Sequence, residues 1–308
     1  MPLLNRISLI IYTFAGTRLN KSTIMGKNLL FIMLMLAVML SCSSNNHANE
    51  SVSEEVAAVG DDSQCHFTNI KEEKMFYYID EQRDTLYFDN QFTAFWPEVI
   101  NGKPCTELQQ ALLRSMTDSA ELNTLEKAVN CLLDPSSYTE YDRKNLVQVK
   151  SVKQSEDKLS TSEIKVDMES MTDRLLTYHL GTYSYMAGAA HGVYANNYVT
   201  YDMKTGKAVS LNDIIADTTL LRTAIFKAIK NNYDYNKDDL FIPDNGLLPL
   251  PRDFFIEDMV LHVVYQVYEI ASYAQGMIDA PIYPYLLKPE EMKRLFTPYG
   301  LELINYTD

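Results

Sequence analysis

The spacing of apolar and polar positions changes period several times along the chain, and each change predicts an element. Ile164, Val166 and Met168 alternate with Lys165, Asp167 and Glu169, the period-two signature of a strand with one buried face. Phe67 to Tyr78 and Thr85 to Phe95 read as two further strands, split by the polar run Asp80-Glu-Gln-Arg-Asp84. In the second, Leu86, Phe88 and Phe92 recur amid Asp89, Asn90 and Gln91, which predicts a bulge. Trp96-Pro97 is expected to end that strand, because proline cannot donate to a ladder. Asn145 to Lys153 is a further extended run.

Helical spacing follows and then returns. Thr106-Glu-Leu-Gln109 has the form of a capping box, with Leu108, Ala111, Leu112 and Met116 on one face. Asp118 to Ala120 turns the chain into a second helix carrying Leu122, Leu125, Val129 and Leu132. After Asp217-Thr-Thr219, a helix from about Leu220 to Tyr233 buries Leu221, Ala224, Ile225, Ala228 and Ile229. Phe254 to Ile256 and Met259 to Ile270 predict a hairpin turning at Glu257-Asp258, its longer arm apolar on both faces. Ile278 to Tyr285 predicts a last strand, and Pro289 opens a short helix ending near Phe296.

Between these lies the stretch around which the chain is organised, Leu180 to Lys207. Arg174 to Leu180 feeds into it. Gly181, Gly188 and Gly192 punctuate aromatic, β-prone runs, and Thr205-Gly206 closes a turn after Tyr198 to Asp202. The whole predicts an α+β fold: antiparallel sheets with a few packed helices, in two interlocked subdomains with a seam near Asp202.

The N-terminal pattern changes the expected compartment. Leu29 to Leu40 is an unbroken apolar run behind Lys27, and it ends in Leu40-Ser41-Cys42. Such a run is too short to span a bilayer and matches a signal-peptide core. A small residue before a cysteine at that point resembles the bacterial lipoprotein signal, which implies lipidation of Cys42 and cleavage before it. Met25 is a natural start for the signal, so residues 1–24 are read as an upstream start extension and 25–41 as the signal peptide. Residues 42–66, rich in Ser, Asn, Glu and Asp, read as the lipidated cysteine and a flexible tether. Ser43 stands where an inner-membrane retention signal has Asp. The expected location is therefore the outer membrane, facing the periplasm and held by the lipid anchor alone.

Charge narrows the partners. The 308-residue chain carries a formal net charge of −14. Residues 1–41 hold Arg6, Arg18, Lys21 and Lys27 and no acidic group; without them 23 basic residues face 41 acidic ones, about −18. Phosphate backbones need the opposite sign, so nucleic acid is excluded as a partner. A cationic partner would be drawn in.

Cys65, Cys105 and Cys131 remain after the lipid cysteine. An antiparallel helix pair would bring Cys105 near Cys131, an expected disulfide that leaves Cys65 unpaired. Their spacing fits no zinc site.

Three passages together carry a family resemblance: Ala189-Ala-His-Gly192 with its tyrosine-rich flanks, Tyr201 to Lys207 followed by Leu211-Asn-Asp-Ile214, and Tyr268-Glu-Ile-Ala-Ser-Tyr-Ala-Gln-Gly276. In this order they resemble the RsiV-like extracytoplasmic domain with its PdaC/RsiV-type N-terminal companion, in a bacterial envelope lipoprotein. The resemblance covers roughly residues 67–300. It implies a companion domain over 67–202, an RsiV-like domain over 203–308, and a role in binding rather than catalysis. Ala189 stands where the family has Gly, and Ser272 where it has Pro. No cytoplasmic anti-sigma segment or deacetylase domain accompanies the motifs, so neither activity carries over.

Candidate chemistry is sparse. His191 either serves acid–base work or bonds the backbone of a glycine-bent turn. His179 and His262 sit in apolar strands as core histidines, and no H-E-x-x-H or G-x-S-x-G motif occurs. Asp234, Asn236 and Asp238 imitate an EF-hand start, but Asp239 occupies the glycine position. No cofactor and no metal are called for. Tyr183, Tyr185, Tyr194, Tyr198 and Tyr201 offer stacking surfaces, although strand propensity explains them equally well. Glu269 either pairs with a cation or has a raised pKa. The expected contact surface comprises Tyr185, Gly188, His191, Gly192, Tyr194, Tyr268, Glu269, Tyr273 and Gly276. The function read from these residues is non-catalytic binding of an envelope ligand, a cell-wall glycan or a cationic protein such as a lysozyme. A sugar-modifying hydrolase using His191 and Glu269, and a scaffold lipoprotein of an outer-membrane complex, are the rival readings.

Overall fold

The computed structural model describes residues 64–79, 85–137, 143–153 and 158–304. The segments expected to be a start extension, a signal peptide, the lipidated Cys42 and most of a tether, up to residue 63, lie outside the described residues. The first sheet is built from β1 (His66–Ile79), β2 (Thr85–Ile100), β3 (Lys103–Pro104), β4 (Leu146–Val149), β5 (Leu159–Met171), β6 (Leu175–Tyr185), β7 (Val193–Asp202) and β8 (Lys207–Ala208). Its order is β4-β1-β2-β5-β6-β7-β8, with β3 on the end of β2. The second sheet holds β9 (Asp253–Glu257), β10 (Val260–Tyr265) and β11 (Ile278–Ile282), with β10 central. The architecture is α+β and mostly antiparallel. One pair, β2 with β5, is parallel.

Two helices, α1 (Thr106–Thr117) and α2 (Leu125–Leu132), cover one face of the large sheet. Leu108, Leu112 and Met116 meet Phe92, Val166, Leu176, Tyr178 and Leu180 in one apolar core. Burial of each such side chain contributes about 1.5–3 kcal/mol. A second core joins α4 (Thr218–Tyr233) to the small sheet, through Leu221, Ile225 and Ile229 against Phe254, Leu261, Val263 and Ala280. The short helices α3 (Leu211–Ile214), α5 (Pro289–Leu295) and α6 (Pro298–Leu303) close that core. The α4 helix begins where the sequence indicates, because the Asp217 carboxylate accepts the Thr219 and Leu220 amides.

Several details differ from the sequence expectation for local reasons. β2 has no bulge at 88–92: Asn90 takes a core-facing position, fully buried, and donates Nδ2 to Leu133 O at 3.0 Å. The strand also runs through Pro97, where the β1 register shifts at His66/Phe67 and the parallel neighbour has already stopped at Ala94. The absent N–H therefore falls where the ladder is already irregular. Thr106 is the first helical residue of α1 rather than its cap; Gln109 reaches out to Pro97 O at 2.8 Å instead of closing a capping box. β10 stops at Tyr265, five residues short of the predicted arm. Tyr268 adopts a left-handed backbone, φ +65°, which no continuing strand tolerates. The hairpin turn falls one residue later, on Asp258 and Met259, both with positive φ. The last strand ends at Ile282 and passes into a turn of 3₁₀ helix.

Candidate functional site

β7 positions the site because its two faces serve different partners. Val199 and Tyr201 enter the helix-covered core. The alternate residues face the small sheet: Tyr198 stacks on Phe255 at 4.5 Å, Asn196 bonds Gln266, and Tyr194 meets Tyr273. This is the period-two geometry of a strand, used on both sides.

The turn between β6 and β7 forms as its glycines require. Ala189 N closes on Met186 O at 2.9 Å, and Gly188 holds φ +77° at the third turn position, which a Cβ disfavours. Gly192 is constrained by space instead. A Cβ there would run into the Cε2, Cζ and hydroxyl end of the Tyr183 side chain.

The second turn, Gln266 to Gly276, reaches back to this one. His191 stacks on Tyr273 with ring centroids 4.0 Å apart, although 81 residues separate Gly192 from Tyr273. The Tyr273 hydroxyl donates to Gly192 O at 2.8 Å. His191 Nδ1 lies 2.9 Å from the same oxygen. A carbonyl only accepts, so Nδ1 carries the proton and both lone pairs of Gly192 O are used. Tyr194 meets the Tyr273 ring edge-on at 6.0 Å, and Tyr268 lies at 5.6 Å. Gly276, φ +74°, sits beside the Tyr194 hydroxyl. Burial, then the neighbouring Tyr194, Tyr183 and Tyr268 hydroxyls, push the Tyr273 pKa up.

Of the expected contact residues, Gly188, His191, Gly192, Tyr194, Tyr268, Tyr273 and Gly276 thus belong to two turns that pack on each other. Tyr185 ends β6 opposite Thr161 of β5, and among the described residues no ring contact ties it to Tyr273. Glu269 is engaged inside its own turn, where its carboxylate accepts Gln266 N at 2.9 Å. The partner shown for it is a backbone amide rather than the cation offered by the sequence reading. Tyr183, 43% exposed, joins the cluster from β6; the sequence singled it out only as one of several strand tyrosines.

Two residues that sequence reasoning missed hold the turns in place. Gln266, 7% exposed, accepts from Asn196 N at 2.9 Å and donates to Asn196 O and to Asp253. Its amide acts as a peptide group across the gap between β7 and the small sheet. Asp202, fully buried, takes both arms of Arg174 at 3.1 and 3.0 Å, the Tyr299 hydroxyl at 2.9 Å and Lys204 N at 2.9 Å. Burial alone would raise its pKa, but these donors outweigh it and hold the carboxyl at about 2.

The remaining candidates are local. His262 Nδ1 donates to Asp279 at 2.9 Å and stacks on Phe255, while His179 lies 5.3 Å from the Tyr198 ring. The EF-hand-like run makes a turn, with Asn236 N bonded to the Asp239 carboxylate at 2.8 Å. Cys65, Cys105 and Cys131 are free thiols. Cys131 Sγ faces Ser137 Oγ at 3.6 Å, and the thiol that acts on Cys105 is Cys65, so the expected Cys105–Cys131 bond is not formed. Burial first, then Glu98 and Cys65, push the Cys105 pKa to about 11. Among the described residues no three metal-ligating side chains stand together, and no helix is long and apolar enough to cross a membrane.

Residues 211–283 match the DUF3298 family, described as a protein of unknown function. The matched segment includes the Gln266–Gly276 turn. A crystal structure of a DUF3298 family member from Bacteroides fragilis is similar to this chain, at 17% identity and a TM-score of 0.53. That likeness covers 78% of this chain and 96% of the other, and it concerns the fold. A DUF3298 family protein from Pseudomonas aeruginosa aligns at 15% identity and a TM-score of 0.48, over 77% and 96% of the two chains. No curated protein matches.

Proposed function

We propose that this protein is a non-catalytic lipoprotein of the bacterial envelope, anchored through Cys42 on the periplasmic side of the outer membrane. In this reading it binds an envelope ligand, a cell-wall glycan or a cationic protein, through the surface where the Gly188–Tyr194 and Tyr268–Gly276 turns meet. The observation that carries the binding role is the joint made by His191, Tyr273 and Gly192 O. A strained, half-buried tyrosine, Tyr268 at φ +65°, lies in the same cluster; backbone strain of this kind concentrates at functional sites. The resemblance to RsiV-like envelope domains agrees with a binding role, and the lipoprotein signal supplies the location.

The rival acid–base reading gains no support from the geometry. His191 Nδ1 is directed at Gly192 O, and the Glu269 carboxylate at Gln266 N. The Nδ1 bond leaves Nε2 as the basic nitrogen of His191, and one Glu269 oxygen is held by its own turn, so turnover is what separates the two readings. Calorimetry with a peptidoglycan fragment and with a cationic muramidase tests the proposal. One of the two is expected to bind wild type and not the His191→Ala/Tyr273→Ala double variant. Turnover of a muropeptide by the purified protein would end the non-catalytic reading.

A further inference from the structure

We infer that the gap between β7 and β9 binds ordered water, a short file of molecules in place of the ladder that would otherwise join the two sheets. The gap leads up to the joint of the two turns, since the Gly188–Tyr194 turn opens into β7 and the Gln266–Gly276 turn leaves β10.

The directions of the backbone groups carry the inference. In an antiparallel strand the N–H and C=O of one residue point to the same side, and successive residues alternate. Asn196 N and O both meet the Gln266 side chain, and Thr200 O accepts Val209 N just past β8, on the side away from β6. Tyr198 shares their parity, so its N–H and C=O face away from β6 too. On the small sheet, Asp279 N and O both bond the Tyr233 hydroxyl, away from β10. Val264, opposite Asp279, therefore turns its backbone groups to Asp253 of β9. Alternation then points Phe255 towards β10 and leaves Phe254 and Ile256 directed at β7. The two strands run the same way: Asn196 lies beside Asp253 through Gln266, and Tyr198 beside Phe255 with ring centroids 4.5 Å apart. In a parallel pair, Tyr198 N would donate to Phe254 O and Ile256 N to Tyr198 O. Among the described residues no ladder joins β7 to β9, and the sheets stay separate.

The width of the gap supplies the reason. At Asn196 it holds a whole amide group with a hydrogen bond on each side, 2.9 Å to Asn196 N and 3.1 Å to the Asp253 carboxylate. That is wider than the spacing of ladder strands, about 4.8 Å. A water molecule makes the same two-sided bridge beyond the reach of Gln266, donating to a carbonyl and accepting from an amide. Phe254 and Ile256 are buried, and buried backbone groups are rarely left unpaired. The polar lining continues past Tyr198. The buried Thr200 hydroxyl, and the buried Thr177 hydroxyl opposite it in register, have no hydrogen-bond partner among the described residues. Water held inside a protein collects at such groups.

The test is water–amide cross-relaxation by NMR on the folded wild-type protein. The Tyr198 and Ile256 amides are expected to show cross-peaks of the sign that long-lived water gives. The Val199 and Phe255 amides, turned into the β6 and β10 ladders, are expected to show none. Silence at Tyr198 or Ile256 overturns the inference, as do cross-peaks of equal strength at all four amides. A crystal structure sharp enough to show ordered water is the second readout. Water within hydrogen-bond distance of both Tyr198 and β9 supports the inference, and Tyr198 N bonded straight to Phe254 O overturns it.

Discussion

Replacing Asp202 by Asn should weaken the join between β6–β7 and the C-terminal helix in a way that depends on pH. The carboxylate is fully buried and accepts from Arg174 Nε and Nη2, from the Tyr299 hydroxyl and from Lys204 N. Arg174 also reaches Glu302 at 2.6 Å, so it keeps one carboxylate when Asp202 is neutralised. Relative to an ordinary aspartate near pH 4, a folded-state pKa of about 2 corresponds to about 2.5 kcal/mol of stability. An orphaned Tyr299 hydroxyl adds a few tenths, giving about 3 kcal/mol for Asp202→Asn at neutral pH. Because the folded pKa is depressed, this stability is complete above about pH 4 and is lost as pH falls through about 2.

Urea midpoints of wild type and Asp202→Asn, from neutral pH down to about pH 2, check the argument. The gap between the two proteins should be widest at neutral pH and nearly closed at the acid end. Glu302→Gln, at an exposed position, should move the urea midpoint far less than Asp202→Asn at neutral pH, because solvent screens its ion pairs. A constant gap across the range would refute the electrostatic account. A gap below about 0.5 kcal/mol at neutral pH would refute the claim that this carboxylate ties β6–β7 to α6.

Three further outcomes follow from single positions. Met259, 52% exposed with φ +62° beside Asp258, should gain about 0.5–1 kcal/mol on replacement by Gly, since an Asp-Gly hairpin turn removes left-handed strain at some entropic cost; a thermal melt reads it. Gly300→Ala should destabilise by about 3 kcal/mol or prevent folding, because the new methyl meets the Ile214 carbonyl in α3 and backbone yields poorly; expression and melting decide. Gln266→Ala should cost about 1–2 kcal/mol by removing its bonds to the half-buried Asn196 backbone and to the buried Asp253 carboxylate, and amide exchange at Asn196 should quicken.

How much of this was legible depended on whether a feature is local. The β5 alternation around Ile164 and Val166, the α4 start at Asp217 and the strands flanking Gly188 and Gly192 are written in neighbouring residues, and the pattern exposes them. Asn90 misled because a buried amide reads as a break until its partner, Leu133 O, is in place 43 residues away. The apolar run after Met259 read as one strand, since nothing in the composition marks Tyr268 for a left-handed backbone. Parallel pairing of β2 with β5 joins segments with two helices between them, a long-range choice that periodicity does not encode. At the site, glycines beside aromatics drew attention to both turns. The meeting of those turns was not legible, because Gln266 imitates a peptide group with a side chain that resembles any other polar residue in sequence. Tyr183 reads as one strand tyrosine among five, because nothing local shows that its phenol end packs against Gly192.

The most direct test of a ligand-binding surface at His191, Tyr273 and Gly192 is a calorimetric titration comparing wild type with His191→Ala/Tyr273→Ala against both probes. The two proteins are expected to melt within a few degrees of each other, because His191 is exposed and Tyr273 half-buried. Heat of binding should be seen with wild type for at least one probe and be absent for the double variant. Identical isotherms for the two proteins, or flat ones with both probes, would contradict the account.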